Sequence, residues 1–82
     1  MANPLFWTRQ GNHYAKTAIR ALHKNDCTWA AMMLRNSRRA FDNAGKAARK
    51  TGNPAVIRHV AEVQANGRAI ETTFAKRCKV KL

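Results

Sequence analysis

Acid is what this sequence has least of. Four carboxylates, Asp26, Asp42, Glu62 and Glu71, face sixteen lysines and arginines in 82 residues, a net charge of +12. A small soluble domain does well with a net charge of roughly 2 to 8. The excess repels itself and weakens the compact state unless an anionic partner relieves it. Four scattered acids also argue against catalysis by paired carboxylates, and Glu62 is placed to neutralise Arg58 one helical turn back. The chain reads as noncatalytic.

Glycine is as sparse. Gly11, Gly45, Gly52 and Gly67 stand alone, so no glycine-rich phosphate loop exists. Two cysteines, Cys27 and Cys78, are too few for a disulfide framework and lack C-x-x-C spacing, which makes reduced thiols in a reducing, cytoplasmic setting the default. His13, His23 and His59 match no zinc spacing with them and read as surface residues, so neither metal nor cofactor is expected. The longest apolar run, WAAMML at 29–34, is far too short to span a bilayer. The first dozen residues hold no apolar stretch of signal-peptide length.

What is there is alanine and helical spacing. Apolar residues make up 45% of the chain, but the large ones come singly, which suits helices packed through small residues better than a sheet. No strand pattern and no long repeat occurs. Three helices are expected in one domain, residues 1–82: an irregular arm over 1–12, helices over 13–24, 26–50 and 54–77, and a basic tail over 78–82. Asn25 and Asp26 end the first helix, and Asp26 can cap the second, where a carboxylate suits the positive end of the dipole. Gly52 closes the second helix, and Asn53 before Pro54 signals the start of the third.

The last two helices carry matching seams. Ala30, Leu34, Ser37, Phe41, Ala44 and Ala48 are separated by 4, 3, 4, 3 and 4, and Val56, Val60, Val63, Gly67, Ile70 and Phe74 repeat the series. A chain folded back near 51–54 pairs residues whose numbers sum to 104, from Ala48 with Val56 out to Ala30 with Phe74. Ser37 then meets Gly67, a pair with almost no side-chain volume, which predicts close backbone approach. The same fold-back puts Cys27 and Cys78 at the hairpin's open end near His23; unlinked thiols are the first expectation, a disulfide under oxidising conditions or a metal site the alternatives. The fold class is therefore all-α, a small three-helix bundle built on a long antiparallel helical hairpin. Tyr14, Ala15, Ala18, Ala21 and Leu22 form the first helix's apolar side, and Trp29, Met33, Ala40 and Ala47 form its bed on the second.

With about 100° per residue, Arg35, Arg38, Arg39, Lys46, Arg49 and Lys50 fall in an arc of roughly 120° opposite the seam. Solvated helix faces normally alternate sign and gain from ion pairs four residues apart, whereas Asp42 is the single acid among these six cations. This arc is the candidate binding surface, helped by Lys16, Arg20 and Lys24 on the first helix. Aromatics limit what it binds. Stacking on single strands needs exposed rings among cations, yet Phe41, Phe74 and Trp29 are assigned to the core. Phe6 and Trp7, beside Arg9, either cover the bundle end or serve as an apolar anchor.

Two functions fit. One is a nucleic-acid-binding bundle, for RNA or DNA, that contacts phosphates through the basic helix face. The other is a small inhibitor or adaptor, of the kind phages and plasmids encode, that binds an acidic protein surface or the nucleic-acid channel of a host complex. In that case Phe6 and Trp7 act as the anchor.

Overall fold

The computed structural model describes residues 3–79 and consists of three α-helices, α1 (Pro4–His23), α2 (Cys27–Thr51) and α3 (Pro54–Cys78). They form an all-α three-helix bundle 40 × 19 × 16 Å in extent, one 25-residue helix long. α2 and α3 make the expected hairpin, and α1 packs mostly against α2.

The irregular arm over 1–12 is corrected: α1 begins at Pro4. The Asn3 side chain accepts a hydrogen bond from the Phe6 N–H at 2.9 Å, and Pro4 takes the first turn, where a missing N–H costs nothing. The same Asn-Pro device starts α3, where Asn53 Oδ1 accepts from the Ala55 N–H at 2.9 Å. Thr8 and Gly11 are buried along with Ala15, Ala18 and Leu22. Together they extend a 3-4-3-4 seam through α1, although the first two are not apolar.

Three residues join α1 to α2. Asn25, at φ 60°, takes the left-handed position where glycine is usual. The Asn25 N–H donates to Leu22 O at 3.0 Å and the Asp26 N–H to Ala21 O at 2.9 Å, which satisfies carbonyls that α1 leaves open. The Asp26 side chain then accepts from the Trp29 N–H at 3.0 Å and starts α2. Gly52, at φ 64°, ends it. The tail expected over 78–82 starts late, since Cys78 is still helical and Lys79 caps it; residues 80–82 lie outside the described residues.

Two apolar clusters fill the bundle. Leu22, Met33, Leu34 and Phe74 lead the one at the open end of the hairpin, with Ile70 against them. Ala44, Ala48 and Val60 make the one near the turn, covered by Trp7 and Val56. Both contain residues of the expected pairs. Met33, Ala40 and Ala47 are buried as the bed for α1 requires, but Trp29 is 44% exposed. Across from it stand Thr17, Arg20 and Lys24, with Ala21 the one small apolar side chain among them, too little surface to bury an indole.

Between the clusters, the close approach expected of Ser37 and Gly67 takes another form. The Phe41 ring lies against Gly67, where an added Cβ would sit 2.8 Å from it, and its other edge lies against Gly11 of α1 even more tightly. One ring thus touches two bare helix backbones while anchored on a third. Ser37 turns to α1 and donates a buried hydrogen bond to Gly11 O at 2.8 Å.

The expectation of unlinked thiols is also corrected. Cys27 and Cys78 form a disulfide, their Cα atoms 5.9 Å apart, within the range the bond requires. It ties the first residue of α2 to the last of α3.

Candidate functional site

The six cations of the α2 arc are all exposed, with exposed Asp42 among them. Their surroundings differ from one edge of the arc to the other. On the α3 side, Arg38 reaches across to Glu71 at 2.6 Å, with side-chain exposures of 50% and 18%. Gln64 donates to Phe41 O at 2.9 Å in the same groove, its amide lying over Gly45. Arg38 is therefore neutralised within the protein, and Glu62 makes no ion pair with Arg58 among the described residues.

The α1 side is built differently. A pocket of about 290 Å³ lies between the two helices, with Phe6, Trp7, Gln10 and Tyr14 rising from α1, and Asn36, Arg39, Ala40 and Asn43 from α2. Trp7 and Asn43 are shared with the next pocket, about 500 Å³, whose other walls are Lys46, Arg49 and Lys50. Towards the opposite end of the two helices a separate hollow is lined by Thr17, Arg20, Ala21, Lys24, Asp26 and Trp29. Asn36, Asn43 and Lys50, seven residues apart each time, line the two joined pockets on α2, and Trp29, seven residues before Asn36, lines the hollow.

Phe6 is 44% exposed and stands edge-on to Trp7, ring centres 5.0 Å apart at 77°. Trp7 is half-buried against Ala44, Ala48 and Val60. Trp7 therefore covers the turn end, one of the two roles expected of the pair, while Phe6 stays exposed.

Of the helping cations on α1, Arg20 and Lys24 border the hollow beside Trp29. Lys16 is exposed but stands outside it, because each four-residue step rotates the stripe by about 40°. Arg35 borders a separate hollow with Met32 and Phe74 at the disulfide end. Sequence reasoning missed Tyr14, Trp29, Asn36 and Asn43 as site residues. The seven-residue recurrence of 29, 36, 43 and 50 was the available signal, and it becomes meaningful only once α1 extends to Pro4.

Arginine and lysine at the rim can donate to phosphate or carboxylate oxygens, the rings offer π-faces, and the three amides both donate and accept. Among the described residues, no three His, Cys, Asp or Glu gather where they could share a metal, and no helix is long and apolar enough to cross a membrane. Compared with protein-family models, curated proteins and solved structures, the chain matches none of them.

Proposed function

We propose that the protein is a noncatalytic nucleic-acid-binding bundle that acts in the cytoplasm. Arg39, Lys46 and Arg49 of α2 meet phosphates, with Arg35, Lys50, Arg20 and Lys24 extending the contact. The observation that carries this reading is the composition of the α1–α2 groove. It gathers Arg39, Lys46 and Arg49 around Trp7 and Asn43 with no carboxylate in the lining, and the hollow further along sets Arg20 and Lys24 against a single acid, Asp26. A polyanion relieves that repulsion and releases its own counterions in doing so. Arg38, held by Glu71, takes no direct part.

The test begins with protein purified under high salt with nuclease. Binding to single-stranded RNA, single-stranded DNA and duplex DNA is then followed across salt concentrations. Changing Arg39, Lys46 and Arg49 together to Gln keeps helix propensity nearly level. It should flatten the logarithmic salt slope by roughly 2 to 3 units, at about 0.7 to 0.9 per phosphate contact. A triple variant that binds unchanged at every salt concentration overturns the reading. So does a stoichiometric protein that copurifies from lysate after complete nuclease digestion, in the absence of any nucleic-acid affinity.

A further inference from the structure

We infer that the α1–α2 groove takes single-stranded nucleic acid, with one unpaired base lying in the pocket of Phe6, Trp7 and Tyr14 while the adjoining backbone runs over Arg39, Lys46 and Arg49. This rests on the nucleic-acid reading above and narrows it from charge to strandedness.

Rings and cations are not merely near one another here. Trp7 and Asn43 belong to both pockets, so the aromatic floor of one continues without a break into the cationic walls of the other. Paired bases keep their faces against their neighbours and cannot use such a floor, whereas an unpaired base can leave its stack and place its face on a ring. Ala40 is small and buried beneath the pocket, which leaves room between the helices for a flat group. Gln10, Asn36 and Asn43 carry amides around that space, and a base edge presents donors and acceptors that match them. Arg39 stands on the same rim, and a guanidinium can both hold a phosphate and lie flat on a base.

The cations repeat at useful intervals. Arg39, Lys46 and Arg49 stand about 10 and 5 Å apart along the α2 axis. Beyond Tyr14, in a separate hollow between the same helices, the Trp29 indole is 44% exposed beside Arg20, Lys24 and Asp26.

The test uses Trp7 as reporter. Trp7 and Trp29 are the two tryptophans of the chain, so Trp29→Phe leaves one indole and keeps a ring at position 29. This protein is titrated with a 12-nucleotide oligothymidylate, an abasic 12-mer of equal charge, a 12-base-pair duplex and a polyglutamate of matched charge. The oligothymidylate should quench Trp7 fluorescence and bind roughly 5- to 150-fold more tightly than the abasic strand. Phe6→Ala should remove most of that preference; because Phe6 is half exposed, the helical circular dichroism of this variant should match the parent.

Equal affinity for base-bearing and abasic strands with steady fluorescence overturns the stacking site, and tighter binding to the duplex does the same; both leave phosphate binding in place. No binding to any nucleic acid at low salt overturns the proposed function itself. Quenching by polyglutamate equal to that by oligothymidylate assigns the groove to an acidic protein instead.

Discussion

Helix α2 borders two grooves, and adjacent residues of one basic face meet opposite fates in them. Arg38 turns towards α3 and finds Glu71; Arg39 turns towards α1 and lines an open pocket of rings and amides. The difference follows from where the four acids lie. Glu62 and Glu71 are both in α3, Asp42 is in α2, and Asp26 is spent on capping, so α1 brings no carboxylate to its interface. The α2–α3 groove also holds a hollow, about 330 Å³, but Asp42 and Glu71 line it along with Arg38 and Arg68, whereas no carboxylate lines the pockets around Trp7 and Asn43. The α2–α3 groove is accordingly tied by an ion pair, the Gln64 bond to Phe41 O and a disulfide at its end. The α1–α2 groove is closed below by alanines and the Ser37 bond to Gly11, and is open above.

The comparison can be broken most severely at the disulfide. Cys27 and Cys78 are 51 residues apart, and closing a loop of that length restricts the unfolded chain enough to stabilise the fold by about 2 to 4 kcal/mol. At about 4 to 8 °C per kcal/mol for a domain of this size, reductant should lower the melting temperature by about 10 to 30 °C. Calorimetry with and without reductant, alongside a Cys27→Ser, Cys78→Ser variant, checks this, and an unchanged melting temperature would contradict it. Leu22, Leu34, Ile70 and Phe74 still pack at that end without the bond. The reduced protein should therefore remain a bundle at 25 °C and keep the affinity proposed for the α1–α2 groove, which lies away from the bond.

A smaller break lies where both grooves share the Phe41 ring. Replacing a helical glycine by alanine ordinarily gains up to about 1 kcal/mol. Here the ring is confined by Gly11 on one side and Gly67 on the other, so it cannot retreat from a new methyl on either. Gly67→Leu should cost about 1 to 3 kcal/mol through overpacking, and Gly11→Ala should also destabilise despite its better propensity. Gly45→Ala is the milder case, because the atom it meets is the amide end of Gln64, which can swing away at the cost of its bond to Phe41 O. Chemical denaturation ranks the three. A stabilising Gly11→Ala would show that the ring has room, and pairing Gly67→Leu with Phe41→Leu should recover part of the loss if the ring is the obstacle.

These positions also show what could be seen before the fold was known. The hairpin was legible because both seams repeat 4-3-4-3-4, and because Asn53 before Pro54 announces a helix start. The identical cue at Asn3 and Pro4 was obscured, since the seam positions after it hold Thr8 and Gly11. Gly11 is there to admit Phe41 and to present its carbonyl to Ser37, which periodicity in apolar residues cannot express. Trp29 was misplaced for the complementary reason: its angle on α2 suits burial, but no large apolar side chain on α1 lines the hollow beside it. The disulfide needed a distance, not a pairing sum. For the candidate site, angle alone identified the cations, while the groove between them and the rings depended on a first helix that begins nine residues earlier than its apolar spacing implies.

The finest test compares neighbours. Arg38→Gln removes an ion pair whose arginine is half exposed, so the loss of stability should be under about 1 kcal/mol, a few degrees at most. Its effect on binding should be slight, because Glu71 already holds that charge. Arg39→Gln should leave the melting temperature alone and reduce the salt slope for single strands by about 0.7. Glu71→Gln completes the set: it releases Arg38 to the surface, and the slope should rise by up to the same amount if the strand can reach that edge of α2. Parallel melting and salt titrations of the three variants distinguish the grooves. If Arg38→Gln flattens the slope while Arg39→Gln does not, the partner lies along α3, and the open groove beside α1 is only a consequence of a helix without acids.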